Sequence, residues 1–190
     1  MIDSLYKNLE RAKRSRIKET MDLTDKDYAV LTLHRPSNVD DPQTFGRIFT
    51  AVEAIAEELT VVFPVHPRTK KTIAELGLSE RAKNIKGLRL TDALGYLDFL
   101  SLISGARIVL TDSGGIQEET TVLGIPCLTL RENTERPITV KLGTNTIVGS
   151  DTDRIVAGAR LALHGTPERA AGIPPLWDGH TADRILDALL

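Results

Sequence analysis

The sequence predicts an α/β fold, a three-layer αβα domain of Rossmann-like architecture with a parallel sheet of about six strands. Short apolar runs alternate with segments of helical periodicity between residues 28 and 163, which is typical of right-handed βαβ crossovers. Several runs are apolar without interruption, as at residues 108–110. Such runs indicate strands that helices cover on both faces.

The strands and helices of this core follow from the alternation. The predicted strands are residues 28–33, 60–65, 85–90, 107–110, 126–130 and 144–148. After a turn at 35–42, the predicted helices are a segment around 45–56 and residues 69–76, 96–104, 115–123, 134–141 and 151–163. The usual strand order of such a sheet, 3-2-1-4-5-6, places the first and fourth strands side by side where the winding reverses. We therefore expect the turns after Leu33 and Leu110 to face each other.

Two further helices flank the core, and we predict a single domain over residues 1–190. A leading helix within residues 1–20 follows from apolar residues spaced three and four apart. Its basic second half has acidic neighbours and no interleaved aromatic residues, which favours a solvated face over a nucleic-acid or lipid patch. A loop rich in glycine and proline at 165–175 precedes a closing helix within 179–190.

Composition excludes several classes of function. The 190 residues carry a net charge of −2, which gives no general attraction to nucleic acid or to anionic membranes. Cys127 is the single cysteine, so no internal disulfide can form, and we expect a reducing compartment, the cytoplasm. The sequence has no dinucleotide-binding G-x-G-x-x-G and no P-loop. Without these motifs we do not expect NAD or FAD to bind. The four histidines lie far apart, so we predict no metal site.

The fourth strand leads into a Ser-Gly-Gly turn that has the features of an anion site. Ser113 is placed to cap the following helix, while Gly114 and Gly115 let a ligand approach the backbone closely. The free N–H groups and the helix dipole favour a phosphate there. Glu118 and Glu119 would repel phosphate, so we expect them to face hydroxyl groups, as of a ribose or sugar. An ordinary glycine-rich connection is the alternative for the turn itself.

Charged residues after the neighbouring strands are expected to meet this turn. His34 follows the first strand and is placed to hydrogen-bond a ligand across the crevice, unless it binds a nearby carbonyl. Arg136 follows the fifth strand and is placed to bind diphosphate oxygens, with a salt bridge to Glu132 or Glu135 as the alternative. His66 ends the second strand, one position further from the crevice, and is expected at its margin or at an interface.

Long motifs of this chain resemble those of the non-hydrolysing UDP-N-acetylglucosamine 2-epimerases, in the same order and spacing. They are HRPSN at 34–38, PVHPR at 64–68, LGYLDF at 94–99, TDSGGIQEE at 111–119, RENTERP at 131–137 and WDGH at 177–180. One departure is Ala93, where the family usually has proline. The resemblance covers essentially the whole chain, and the long TDSGGIQEE and RENTERP strings are highly specific.

The resemblance implies a function and a place for this chain within a larger fold. Family members have two Rossmann-like domains in a GT-B arrangement, with the substrate between them, and serve cell-envelope polysaccharide synthesis. They interconvert UDP-N-acetylglucosamine and UDP-N-acetylmannosamine by eliminating UDP and adding it back, without a redox cofactor. This chain resembles only the second, UDP-binding domain.

The resemblance also implies roles for individual residues. Ser113, Gly114 and Gly115 resemble the diphosphate cradle, and Glu119 resembles the partner of the ribose hydroxyls. His34 and Arg136 resemble the groups that stabilise charge on departing UDP, which makes His34 the candidate catalytic residue. The remaining assignments are Leu94 and Phe99 at the uracil, and His66 with Arg68 at an interdomain or regulatory site.

A gap accompanies this resemblance, because the family's first domain carries the carboxylates thought to move the proton at carbon 2. Removing a proton from a weakly acidic carbon needs a positioned base, and we find none here. We expect Met1 to correspond to an interior point of a longer enzyme, and the chain alone to be inactive. An exposed apolar surface, or a homodimer that covers it, should mark the position of the absent first domain. The donor half of a GT-B glycosyltransferase and a non-enzymatic UDP-sugar-binding module are the alternative functions.

Overall fold

The computed structural model describes residues 1–165 and 172–190. Its strands are β1 Tyr28–Thr32, β2 Thr60–Val65, β3 Leu88–Asp92, β4 Ile108–Thr111, β5 Cys127–Thr129 and β6 Asn145–Ile147. Its helices are α1 Ile2–Ala12, α2 Ile17–Thr20, α3 Pro36–Val39, α4 Pro42–Glu58, α5 Pro67–Glu75, α6 Ser79–Asn84, α7 Tyr96–Ser104, α8 Gly114–Leu123, α9 Pro137–Lys141, α10 Thr152–His164 and α11 Thr181–Leu189.

The six strands form one parallel sheet in the order β3-β2-β1-β4-β5-β6, which confirms the predicted order. At the reversal point β1 and β4 pair in register, with Thr32 opposite Thr111. The hydroxyl groups of these two threonines lie 2.6 Å apart. The turns that follow β1 and β4 therefore open side by side, as expected.

Two apolar clusters lie on opposite faces of the sheet and produce the three layers. Successive residues of a strand point to opposite faces, so Leu31 joins one cluster and Val30 the other. The first cluster packs against α4 and α10. The second packs against α1 and α7, where Leu5 is fully buried. The leading segment therefore contributes to the core, beyond the predicted core of residues 28–163.

Several element boundaries differ from the prediction. The predicted leading helix is broken into α1 and α2 because the hydroxyl of Ser15 accepts a hydrogen bond from the Ile17 N–H and donates one to Asp98. The predicted turn at 35–42 contains α3, and α6 was not predicted. β3 begins and ends later than predicted, and α9 is shorter. The predicted loop at 165–175 lies largely outside the described residues.

Candidate functional site

The switch-point cleft is our name for the surface formed by residues 34–38, 112–115 and 131–136, which follow β1, β4 and β5. Parallel strands direct all three segments to the same edge of the sheet. At its centre α8 begins at Gly114, after Ser113 in the extended conformation of an N-cap. Ser113 occupies the predicted N-cap position, but its side chain makes no capping hydrogen bond. The backbone N–H of Ser113 instead donates to the Thr111 hydroxyl at 3.0 Å. The first-turn N–H groups of α8 have no intrahelical acceptor and can bind an anion.

Space beside the two glycines is limited by neighbouring side chains. A Cβ at Gly114 would lie 3.5 Å from Glu135 Oε2 and 3.8 Å from Arg136 Cγ. A Cβ at Gly115 would lie 3.2 Å from the Met1 sulfur. The fold thus brings Arg136 up to the glycine turn, as the sequence predicted.

Asp112 is the central carboxylate of the cleft, and the sequence analysis did not select it. It is fully buried and accepts hydrogen bonds from the backbone N–H of His34 at 3.1 Å and of Arg35 at 2.9 Å. The side-chain amide of Asn38 donates to it at 3.3 Å. A buried charge needs such partners. Its position directly after a buried strand, beside the end of β1, is the sequence signal that could have revealed it.

His34 lies over this carboxylate, with Nδ1 2.9 Å from Asp112 Oδ1 and a half-exposed side chain. The hydrogen bond to Asp112, together with its charge, raises the pKa of His34, against the opposing effect of partial burial. Because Nδ1–H donates to the carboxylate, Nε2 is the nitrogen left to contact a ligand. The raised pKa favours the protonated, positively charged form of His34, which can bind an anion.

Glu119 lies in the wall between α7 and α8, with 5% of its surface exposed. The Tyr96 hydroxyl donates to its Oε1 at 3.0 Å. Burial raises the pKa of Glu119 despite this bond, and burial with the nearby Glu119 charge raises the pKa of Tyr96 to about 12. Leu94 and Phe99 are partly buried and pack against the second apolar cluster of the core, the one that contains Leu5 and Val30. A carboxylate that accepts a hydrogen bond from the Tyr96 hydroxyl can also accept hydrogen bonds from the hydroxyl groups of a ligand.

Arg136 forms an ion pair with Glu118, with Nε 2.8 Å from Oε1. Nε has no hydrogen-bond partner among the described residues, so this contact is an ion pair and not a hydrogen bond. One terminal nitrogen donates to the Glu135 carbonyl at 3.3 Å. The Glu135 side chain is bound instead by Arg131 and Arg35, chiefly Arg131, which lowers the pKa of Glu135 to about 2. Glu118 is thus the ion-pair partner of Arg136, where the sequence offered Glu132 or Glu135.

His66 and Arg68 lie at the margin of the cleft. The His66 ring is 6.1 Å from that of His34, centre to centre. Its Nδ1 accepts a hydrogen bond from the Arg68 N–H at 3.3 Å, at the start of α5. The Arg68 guanidinium binds both carboxylate oxygens of Asp40. The fold therefore places His66 beside the predicted catalytic histidine and holds Arg68 in a separate ion pair.

Other features restrict the chemistry that the described residues can perform. Among residues 1–165 and 172–190, no three histidine, cysteine or acidic side chains are grouped to hold a metal ion. Within the same ranges, no helix has the length and apolar character needed to span a membrane. Cys127 is buried, and burial raises the pKa of its thiol to about 12. It is therefore a core residue rather than a nucleophile.

The family model and the curated relatives that this chain matches are 2-epimerases of UDP-sugars. The family model described as UDP-N-acetylglucosamine 2-epimerase matches residues 1–190. The UDP-N-acetylglucosamine 2-epimerase of Methanocaldococcus jannaschii is 36% identical over 194 residues, covering 100% of this chain and 52% of that protein. A UDP-2,3-diacetamido-2,3-dideoxy-D-glucuronate 2-epimerase of Pseudomonas aeruginosa is 40% identical over 140 residues, covering 73% of this chain and 38% of that protein.

Solved structures give the same result. The Methanocaldococcus jannaschii epimerase, solved in complex with UDP-GlcNAc and UDP, superposes with a TM-score of 0.85 at 35% identity. That match covers 98% of this chain and 52% of the other. The chain spans about half the length of the curated relatives that it matches most completely. It belongs to the UDP-N-acetylglucosamine 2-epimerase family.

Proposed function

We propose that this chain is the UDP-binding part of an enzyme that interconverts UDP-N-acetylglucosamine and UDP-N-acetylmannosamine by eliminating UDP and adding it back. The observation that carries the proposal is the glycine turn at Ser113–Gly115, with Arg136 beside it and His34 in the neighbouring turn. A relative solved with UDP-GlcNAc and UDP supports the ligand class.

The diphosphate would lie at the start of α8. The N–H groups at Gly114 and Gly115 would donate to its oxygens, and the helix dipole would favour its charge. Arg136 would exchange its ion pair with Glu118 for a phosphate. His34 would contact the oxygen on which charge develops, through Nε2. These groups are held in place before the reaction, which is what makes such donors effective in stabilising a leaving group.

The nucleoside would lie along the wall between α7 and α8. Glu119 would accept hydrogen bonds from the ribose hydroxyls and thereby replace the hydroxyl of Tyr96. Leu94 and Phe99 would contact the uracil ring, as the family resemblance implies. Glu119 is buried close to the anion site. Hydrogen bonds from the ribose hydroxyls would stabilise its carboxylate there, and the ribose would separate it from the negatively charged phosphates.

Epimerisation needs more than the residues described here. The proton at carbon 2 must be removed and returned on opposite faces, which requires positioned acid–base groups. We assign these groups to the part of the relatives that this chain does not cover, and we propose that part as the partner of the switch-point cleft. His66 and Arg68 then lie at the interface or at a regulatory site. A buried, unpaired thiol is compatible with a reducing compartment, and we propose the cytoplasm.

Calorimetric titration of the chain with UDP tests the binding proposal. We expect UDP to bind and the Arg136→Ala variant to bind at least tenfold more weakly, since a charged hydrogen bond is worth about 1.5–3 kcal/mol. Arg14→Ala removes an exposed arginine that is not part of the switch-point cleft and should leave the affinity unchanged. Equal binding by the two variants would contradict the assignment of Arg136.

Activity is tested with and without the remaining part of the enzyme. A form extended to the full length of the relatives should place deuterium at carbon 2 of UDP-N-acetylglucosamine in deuterated water. The 190-residue chain should not. A glycosyltransferase would exchange no hydrogen at carbon 2, and turnover by the short chain would contradict the proposed division of roles.

A further inference from the structure

A group of polar side chains, all buried except the partly exposed Thr134, lies against the loop that carries Arg136. We call it the amide–threonine network, and its members are Gln117, Thr129, Thr134, Thr139 and Asn145. Gln117 and Thr139 have no exposed surface, and Asn145 is 3% exposed. The network joins α8, β5, β6 and the loop after β5, so it connects the helix of the anion site to the loop of its arginine.

The network forms hydrogen bonds with both backbone groups of Arg136, its N–H and its carbonyl. Its N–H donates to the Thr134 hydroxyl at 2.9 Å. Its carbonyl accepts from the Thr139 hydroxyl at 2.7 Å and from the Thr139 N–H at 3.0 Å. The Arg136 backbone, at φ −123° and ψ 58°, is neither helical nor extended. Arg136 is the N-cap residue of α9, so the helix holds only its carbonyl, and the hydroxyls of Thr134 and Thr139 supply the other backbone contacts.

Two buried amides hold the threonines in turn. Oε1 of Gln117 accepts from the Thr134 hydroxyl and from the Asn145 amide, the latter at 3.2 Å. The Asn145 amide also donates to the Thr139 hydroxyl at 3.0 Å, while Thr129 donates to Asn145 Oδ1 at 2.6 Å. Hydrogen bonds connect the Arg136 N–H to its carbonyl without a break, with Gln117 Oε1 accepting two of them and the Asn145 amide donating two. Each hydroxyl is thus oriented by a neighbour, which makes the geometry of the loop unique.

The side chain of Gln117 does more than stabilise the fold. Its Nε2 is buried and has no hydrogen-bond partner among the described residues, and an unpaired buried donor costs stability. The contribution of the side chain therefore lies in what Oε1 accepts. Both accepted bonds lead, through one or two further groups, to the backbone of Arg136.

We propose that Gln117 and Asn145 are positioning residues for the diphosphate, because the buried amide pair sets where the backbone of Arg136 stands above the glycine turn. They act through Thr134 and Thr139 and do not touch the ligand. This inference rests on the proposed UDP site and adds to it the device that orients its arginine. A positioning role predicts that damage to the network weakens binding of the diphosphate and spares binding of the nucleoside.

Paired substitutions test the role on the 190-residue chain. Thr134→Val removes the hydroxyl that joins Gln117 to the Arg136 N–H, whereas Thr134→Ser keeps it. Gln117→Met removes the shared acceptor. We expect Thr134→Val and Gln117→Met to weaken UDP binding about tenfold, the loss of one good hydrogen bond to a charged group. Thr134→Ser should stay within about threefold of the wild type. Calorimetry gives the UDP affinity, and thermal unfolding identifies any variant that fails to fold.

Two further measurements separate positioning from a general loss of structure. Uridine, titrated by NMR, lacks the diphosphate, so its affinity should change less than twofold in Thr134→Val. In the Arg136→Ala background, Thr134→Val should have no further effect on UDP, because the group that it positions is gone. Equal losses for uridine and UDP, or an undiminished effect without Arg136, would overturn the inference. A wild-type chain that does not bind UDP overturns the proposed function as well, whereas unchanged affinities in Thr134→Val and Gln117→Met overturn the positioning role alone.

Discussion

Glu119 shows how one buried side chain can select part of a ligand. Among the described residues, its side chain accepts one hydrogen bond, from the Tyr96 hydroxyl. Its two oxygens can accept further hydrogen bonds. We expect Glu119→Gln to weaken UDP binding about tenfold to a hundredfold, because hydrogen bonds to a charged acceptor are worth about 1.5–3 kcal/mol. Calorimetry with 2′,3′-dideoxy-UDP should show no difference between variant and wild type. Glu57→Gln, at an exposed position, is the matched control. A similar loss for both nucleotides would contradict the ribose contact.

His34 makes ligand binding and folding depend on pH. Its pKa is raised by Asp112, so the ion pair stabilises the fold in full below the ordinary histidine value of 6.5. That contribution is lost as the pH rises through the raised pKa. Binding of UDP-N-acetylglucosamine should weaken over the same range, since its phosphates are diesters and do not titrate there. Calorimetry from about pH 5.5 to 8.5 should show this fall, and His34→Gln should flatten it. A pH-dependent fall that persists in the variant would show that another group is responsible.

Single residues also show where prediction from sequence stops. The glycine turn, His34, Glu119 and Arg136 were selected because their residue types match anion and hydroxyl binding. Asp112 was not selected, because the partners that reveal its role precede it by 74 to 78 residues. Gln117 gives no signal at all, since a polar residue in a helix is equally compatible with the surface. Its role depends on contacts with residues 134 and 145 that only the folded chain defines.

The start of α8 is the element on which the proposed function depends, and Gly114 tests it. A methyl group there would meet only ordinary contacts, the nearest at 3.5 Å, so Gly114→Ala should fold normally. The same methyl group would occupy space that a phosphate needs beside the first N–H groups. We expect UDP affinity to fall at least tenfold, measured by calorimetry, with an unchanged or higher melting temperature.

Gly46 provides the control for this substitution. It lies inside α4, and a Cβ there meets nothing within 4 Å. Gly46→Ala should stabilise the chain by about 1 kcal/mol through helix propensity and leave UDP affinity as it was. If Gly114→Ala bound UDP like Gly46→Ala, the diphosphate would have to lie elsewhere.

Whole elements were predicted well where a long apolar pattern defines them. Strand order, α4, α7, α8 and α10 follow from periodicity and from the crossover rule. α6 was missed because it is six residues long and buries only Ala82. The break between α1 and α2 depends on Ser15 meeting Asp98, a contact across 83 positions. No local pattern contains that information.

The molecule as a whole has an apolar surface on its last helix. α11 has no buried residue, and Ile185, Leu186 and Leu189 are more than half exposed. An exposed apolar surface was expected where a first domain would dock, and that α11 forms part of it stays a prediction. It lies in a chain that spans about half the length of its relatives. Such a surface indicates a position at which another surface docks.

Self-association should therefore increase with protein concentration. Replacing Ile185 and Leu186 together by serine should keep the chain monomeric and leave UDP affinity unchanged, because α11 is not part of the switch-point cleft. Sedimentation velocity over a hundredfold range of concentration gives the measurement. Leu161→Ser, at an exposed position on α10, is the control and should associate like the wild type. A wild-type chain that stays monomeric throughout would contradict the prediction.

The separation along the chain between Asp112 and its hydrogen-bond partners implies an order of folding during synthesis. The groups that Asp112 holds in the turn after β1 precede it by 74 to 78 residues, and contacts across long loops form late because closing the loop costs entropy. A chain leaving the ribosome can pair β1, β2 and β3 before Asp112 has been made. The ligand cleft is completed only when β4 is added beside β1 and the loop carrying Arg136 follows. A nucleotide can therefore stabilise the finished protein, but it cannot guide the folding of the first half.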